Sequence, residues 1–185
     1  MIPKPDYFPN ESVYHELLHI RRLCVDKVPR IIVCEDYDLW TPELEDVLTS
    51  LDNEIEHFII VPDELNKYPN RKNYWKDKVE YIVDNYDQLG LIEADQERRV
   101  LISWAFIHHV LPCDDLVEKA NTAVNKMGIE GRASKFISEI LHSLDKKNTL
   151  AQVFFKNLQL SFEVGCLEYF DLAQNTSYEK TLQEA

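Results

Sequence analysis

Three side chains early in the chain have the types and spacing needed for metal-assisted hydrolysis: His15, Glu16 and His19, in the run His15-Glu16-Leu17-Leu18-His19. Residues four apart stack on one face of a helix, so the two imidazoles can share one metal ion. Glu16, a step around the helix, then stands beside a metal-bound water. Zinc lowers the pKa of water bound to it to about 7, and a carboxylate at hydrogen-bond distance can take that proton and pass it to a leaving amine. A third protein ligand and an open position are also required.

Two helices must position this chemistry. The first is expected over residues 12–26, with Ser12 as N-cap and Val13, Leu17, Ile20 and Cys24 as an apolar stripe. At about 100° per residue, His15 and His19 fall opposite that stripe, which turns them away from the helix's own buried side toward a cleft or solvent. The second begins at Thr41-Pro42-Glu43, where an N-cap hydroxyl, a proline at the first helical position and an acid coincide. Its apolar positions Leu44, Leu48, Leu51, Ile55 and Phe58 carry it to Val61, before Pro62. A competing parse makes 58–61 a strand, but the helical spacing crosses Asp52-Asn53 without a turn signal. On this helix Glu56 lies along one edge of the apolar stripe with Glu45 and Asp52, which makes it the first candidate for third ligand. His57, projecting farther from the stripe, ranks second, and Asp52 and Asn53 are candidates to hold the imidazole N–H groups.

The remainder predicts a mainly α protein, α+β at most. Residues 30–34 read as a short strand, 63–73 as a polar connector, and 74–86, 95–111, 113–127, 132–145 and 150–173 as a C-terminal helical bundle. The joints fall at Leu89-Gly90, Pro112, residues 128–131 and residues 146–148, and the polar tail from Gln174 is expected to fray. The last helix, with Phe154, Phe155, Leu158, Leu160 and Phe162 around much of its circumference, is either central core or a subunit contact, so the oligomeric state stays open. One domain over 1–185 is expected, with a metal-site region at 1–68 and a helical region at 69–185.

Composition narrows the partners. A net charge of -13 without a segregated basic patch argues against nucleic acid. The longest apolar runs are too short to span a bilayer, and Met1-Ile2-Pro3-Lys4-Pro5-Asp6 lacks a signal peptide's apolar core, so a cytoplasmic setting is expected. Cys24, Cys34, Cys113 and Cys166 are widely spaced with no CxxC pair, which favours reduced, mostly buried thiols. His108-His109 diverge by about 100° within an apolar helix and are expected to pack, as are His142, Tyr74 and Trp75. The acids after 30–34 have the character of a Walker B region, but no GxxxxGK[ST] loop exists to cradle phosphates.

The run Tyr14 to His19, the step Val28-Pro29, and Asp52-Asn53-Glu54-Ile55-Glu56-His57 followed by aliphatics and Pro62 together resemble the zincin metallopeptidases. The likeness is closer to bacterial and phage HExxH proteins of gluzincin arrangement, and it covers about the first third of the chain. It implies zinc held by His15, His19 and Glu56, Glu16 as general base, and a peptide or protein substrate. It also implies a substrate-binding edge strand, for which residues 30–34 are the available segment. The competing expectation is a non-catalytic acidic interaction factor, of inhibitor or immunity type, carrying a vestigial or accidental motif.

Overall fold

A computed structural model describes residues 9–88 and 93–183; the Leu89-Gly90 joint and the Met1 to Asp6 segment lie outside them. In chain order the elements are α1 (Asn10–Cys24), β1 (Arg30–Val33), α2 (Pro42–Lys67), α3 (Arg71–Asn85), α4 (Glu93–Val110), α5 (Asp114–Met127), α6 (Glu130–Leu141), α7 (Lys147–Asn157), β2 (Gly165–Asp171) and β3 (Thr176–Thr181). The mainly α expectation holds, with one small antiparallel sheet of order β1-β2-β3. Among the described residues no helix is long and apolar enough to cross a membrane.

The core is built around α2 and α4, each buried on several sides. In α4, Val100, Leu101 and the whole run from Ser103 to Ile107 are buried; in α2, so is the run from Ile55 to Phe58. Phe58 meets Phe106 and Phe154 edge to face, each with ring centroids 5.5 Å apart, and Phe154 meets Phe136 at 4.9 Å. Such contacts add to the burial of the rings themselves.

α2 starts as its sequence dictates: Thr41 Oγ1 accepts from the Leu44 N–H at 3.2 Å, with Pro42 in the first turn. It does not end before Pro62 but runs on to Lys67. A proline inside a helix removes the bond to the carbonyl four residues back, here that of Phe58. The His109 ring hydrogen-bonds to the Phe58 backbone and so takes up the orphaned group. This continuation places Glu64 two turns beyond His57 on one face of the helix.

The C-terminal region departs most from expectation. Instead of one helix over 150–173, α7 closes at Asn157, Gln159 takes a left-handed φ of 55°, and the chain turns into the β2–β3 hairpin. Gly165 is required at the start of β2, because a Cβ there would sit 2.5 Å from Phe155 Cζ. Asn175, at φ 53°, makes the hairpin turn, and Tyr169 stacks on Tyr178 across the strands at 5.1 Å. Of the tail expected to fray, Thr176–Thr181 is therefore strand β3.

The hairpin also overturns the reduced-thiol expectation. β1 and β2 pair antiparallel with Ile32 opposite Cys166, which brings Cys34 within 5.0 Å (Cα to Cα) of Cys166, and the two form a disulfide. Partners 132 residues apart leave no local spacing to read. Cys24 and Cys113 are free thiols, Cys24 exposed.

Candidate metal centre

α1 docks with the face opposite to the one its periodicity predicts. His15 and Leu18 are the buried residues, while Val13, Leu17 and Ile20 of the expected core stripe are 43%, 53% and 54% exposed, and Cys24 is exposed as well. The helix is held inward by polar partners: Glu11 accepts from Asn70 at 3.0 Å, His15 bonds Glu64, and Arg22 forms an ion pair with Glu56. Hydrogen-bonded polar side chains fasten this helix where apolar burial was expected.

The buried face brings three imidazoles together. His15, His19 and His57 each offer a ring nitrogen, and these atoms lie within 4.8 Å of one another. His15 Nε2 and His19 Nε2 are 3.2 Å apart. Adjacent donors on a tetrahedral ion with 2.0–2.1 Å metal–nitrogen bonds are separated by roughly 3.3 Å, so the spacing suits coordination without rearrangement of the pair. The His57 ring stands 5.1 Å from that of His15 and 5.5 Å from that of His19, centroid to centroid.

Glu64 orients the first histidine. Its fully buried carboxylate accepts from Trp75 Nε1 at 2.8 Å and Arg71 Nε at 2.7 Å, and stands 3.1 Å from His15 Nδ1. These donors hold its pKa down at about 2 against the opposing effect of burial, so it is an acceptor only and His15 must donate from Nδ1. That turns His15 Nε2 toward His19. A carboxylate on the far nitrogen of a histidine is the common support of a metal-ligating imidazole.

Burial, with the His15 and Lys78 charges nearby, pushes the pKa of His57 down to about 3; burial and the His15 ring lower that of His19. Both rings are therefore neutral near pH 7, the state in which imidazole ligates. The donor set and its carboxylate support thus fit a metal ion.

Glu56 occupies a different place from the one the sequence suggested. Its carboxylate forms an ion pair with Arg22 and another, at 2.6 Å, with the buried Lys147 Nζ, which also bonds Asp52 at 2.7 Å. These cations hold Glu56 ionised despite the cost of its burial. The third group brought to His15 and His19 is His57, next in sequence. Because α2 is buried on several sides around residues 55–58, the edge of its apolar stripe does not single out the ligating residue; His57 and Glu64 face His15 of α1 and Trp75 of α3, while Glu56 faces Arg22, farther along α1, and Lys147 of α7. Asp52 accepts the Ile31 N–H at 3.0 Å instead of an imidazole, and Glu64 takes the supporting role.

Glu16 is exposed, one residue around from His15, and its charge acts on His19. The centre opens on the His19 side into two clefts. One, of about 180 Å³, has aliphatic walls of Ile20, Leu23, Val28 and Pro29; the other, of about 420 Å³, runs past Asp46, Thr49, Ser50 and Asn53. β1 does not offer an open edge beside them, since the outward N–H of Ile31 is taken by Asp52 of α2.

Of the other histidines His108 and His109 pack, whereas His142, like Tyr74, was expected to pack and is exposed. His108 lies 4.0 Å from the Trp104 ring and 3.2 Å from Asn121 Oδ1, and His109 stacks on Phe58. His142 is exposed and bonds the Ser138 carbonyl at 2.6 Å. Trp75, expected only to pack, belongs to the centre through its bond to Glu64 and its contact with His57 at 4.8 Å.

The fold and centre define a helical protein with a three-imidazole cluster supported by a buried carboxylate. Comparison of the chain with family models, curated proteins and solved structures finds no match.

Proposed function

We propose that this protein binds zinc through His15, His19 and His57 and hydrolyses peptide bonds, with Glu16 as general base. The observation that carries the reading is the convergence of three imidazoles, two from α1 and one from α2, with His15 oriented by Glu64 and the α1 motif supplying an acid beside the pair. Three imidazoles and an open fourth position form a ligand set that zinc uses in catalysis. When bound there, zinc supplies an acidified water and a polarised carbonyl. With zinc held by His15, His19 and His57, Glu16 would accept a proton from water and return it to the leaving amine; Glu64 keeps His15 oriented; Arg71 and Trp75 keep Glu64 in place. Substrate reaches the centre through the His19 clefts rather than by adding a strand at Ile31.

Zinc content and turnover of an internally quenched peptide library test this together. One zinc per chain is expected, lost in His57→Ala, whereas Glu16→Gln keeps the zinc and loses hydrolysis by about a hundredfold or more. Metal-free native protein, or a Glu16→Gln variant with full turnover, overturns the reading. The interaction-factor alternative has one observation in its favour, the exposed aliphatic row Val13, Leu17 and Ile20 on the outside of α1. A metal-free, inactive protein would shift the balance to it.

A further inference from the structure

The two clefts beside the centre share three lining residues, His19, Arg30 and Asp52. Of these, Arg30 has a charge with no structural task. Arg22 is committed to Glu56, Arg71 to Glu64, and Lys147 to Glu56 and Asp52. Arg30 opens β1, is exposed, and among the described residues no ion pair or hydrogen bond engages its side chain, although Glu168 lies opposite it in the sheet register. An uncommitted guanidinium at the mouth of a site, flanked by a small aliphatic cleft, is a recognition element for a planar anion.

We infer that Arg30 is a specificity-determining residue that binds a substrate carboxylate, and that an aliphatic side chain beside that carboxylate seats against Ile20, Leu23, Val28 and Pro29. The inference rests on the hydrolase reading above and narrows its substrates to peptides carrying a carboxylate close to the cleaved bond. A carboxylate suits the site better than a phosphate. One guanidinium balances one negative charge, and the larger cleft is already lined by Asp46 and Asp52, which would repel a dianion. The carboxylate can be a peptide's free C-terminus or an Asp or Glu side chain.

The test uses the full chain loaded with cobalt(II), whose visible absorbance reports ligands entering the metal's open position, and two pairs of hydroxamate probes. In the first pair a succinyl hydroxamate is coupled to leucine as free acid or as amide. In the second it is coupled to aspartate or asparagine, both C-terminally amidated. Each acid is compared with its neutral twin by dissociation constant.

The expected result is about tenfold tighter binding of the acid in one pair, which identifies the source of the carboxylate. That preference should be abolished in Arg30→Met and partly kept in Arg30→Lys. The neutral hydroxamates should bind native protein and Arg30→Met alike, which verifies that the centre is intact in the variant. Equal binding of acid and neutral twin in both pairs, or a preference that survives Arg30→Met, overturns the assignment of Arg30 alone. Failure of the neutral hydroxamates to perturb bound cobalt, or failure of cobalt to bind, overturns the hydrolase reading with it.

Discussion

α1 and α7 are held to the same molecule by different forces. α7 buries Leu150, Ala151, Phe154 and Phe155 in a continuous apolar core, where many fittings of similar shape would serve. α1 is held by Glu11, His15 and Arg22, each matched to one named group elsewhere in the chain, and it leaves three of its large aliphatics to solvent. Apolar burial is non-directional and fixes that a helix packs; paired charges and hydrogen bonds fix where each atom lies. The difference teaches where precision is needed. The aromatic half supplies stability, and the polar junction of α1, α2 and α3 supplies the sub-ångström placement that a ligand set requires.

The contrast is broken most strongly from the aromatic side. Phe154 is fully buried and meets both Phe58 and Phe136. Phe154→Ala removes a ring and leaves a cavity, and is expected to cost about 4 kcal/mol of unfolding free energy by denaturant titration. Its zinc affinity, measured while the variant is still folded, should change less than threefold. A large loss of affinity in a folded variant would mean that the two regions are not separable and that the core itself tunes the centre.

From the polar side the expected effect is smaller in stability and larger in function. Glu64→Gln keeps the size and an acceptor for His15 but removes the charge that fixes its tautomer and holds Arg71. Zinc affinity by competition with a chromophoric chelator should fall about 10- to 100-fold, the usual cost of losing a carboxylate behind a ligating histidine. The circular dichroism spectrum should be unchanged. An affinity equal to that of the native protein would show that His15 is not a ligand through Nε2.

The same contrast explains what was legible in the chain. The mainly α class, the start of α2, strand β1 and most helices of the second half follow from apolar periodicity and from Thr41, Pro42, Pro112 and Gly128, because apolar packing writes itself into spacing. His15 and His19 were legible as a pair four residues apart. His57 was second to Glu56, since only the three-dimensional neighbours of α2, Arg22 on one side and the histidines on the other, sort two adjacent buried polar residues. Glu64 was hidden because Pro62 reads as a helix stop, and the His109 bond that lets the helix continue comes from another element. The hairpin had local signals in Gly165 and Asn175, but the aromatic run of residues 154–162 extended the helical pattern over them. Partners far apart in sequence, such as His15 with Glu64 or Cys34 with Cys166, leave no periodicity at all.

The smallest expected effect is the sharpest test of which face of α1 is inside. Read by periodicity, Leu17 belongs to a buried stripe, and Leu17→Gln would then cost the transfer of a leucine side chain plus an unpaired amide, about 3 kcal/mol or more. In the structure Leu17 is 53% exposed, on the side of α1 turned away from His15 and Leu18. A polar residue of good helix propensity there replaces nothing that is packed, so the expected change is within about 0.5 kcal/mol of zero. Thermal and denaturant unfolding of Leu17→Gln beside Leu18→Gln decides the matter. Leu18 is 6% exposed and should show the large loss that Leu17 does not. Were the two costs exchanged, α1 would have to be rotated about its axis by roughly a quarter turn or more, and His15 would leave Glu64. The near-neutral outcome at Leu17 is thus also a test of the centre, made without touching any of its ligands.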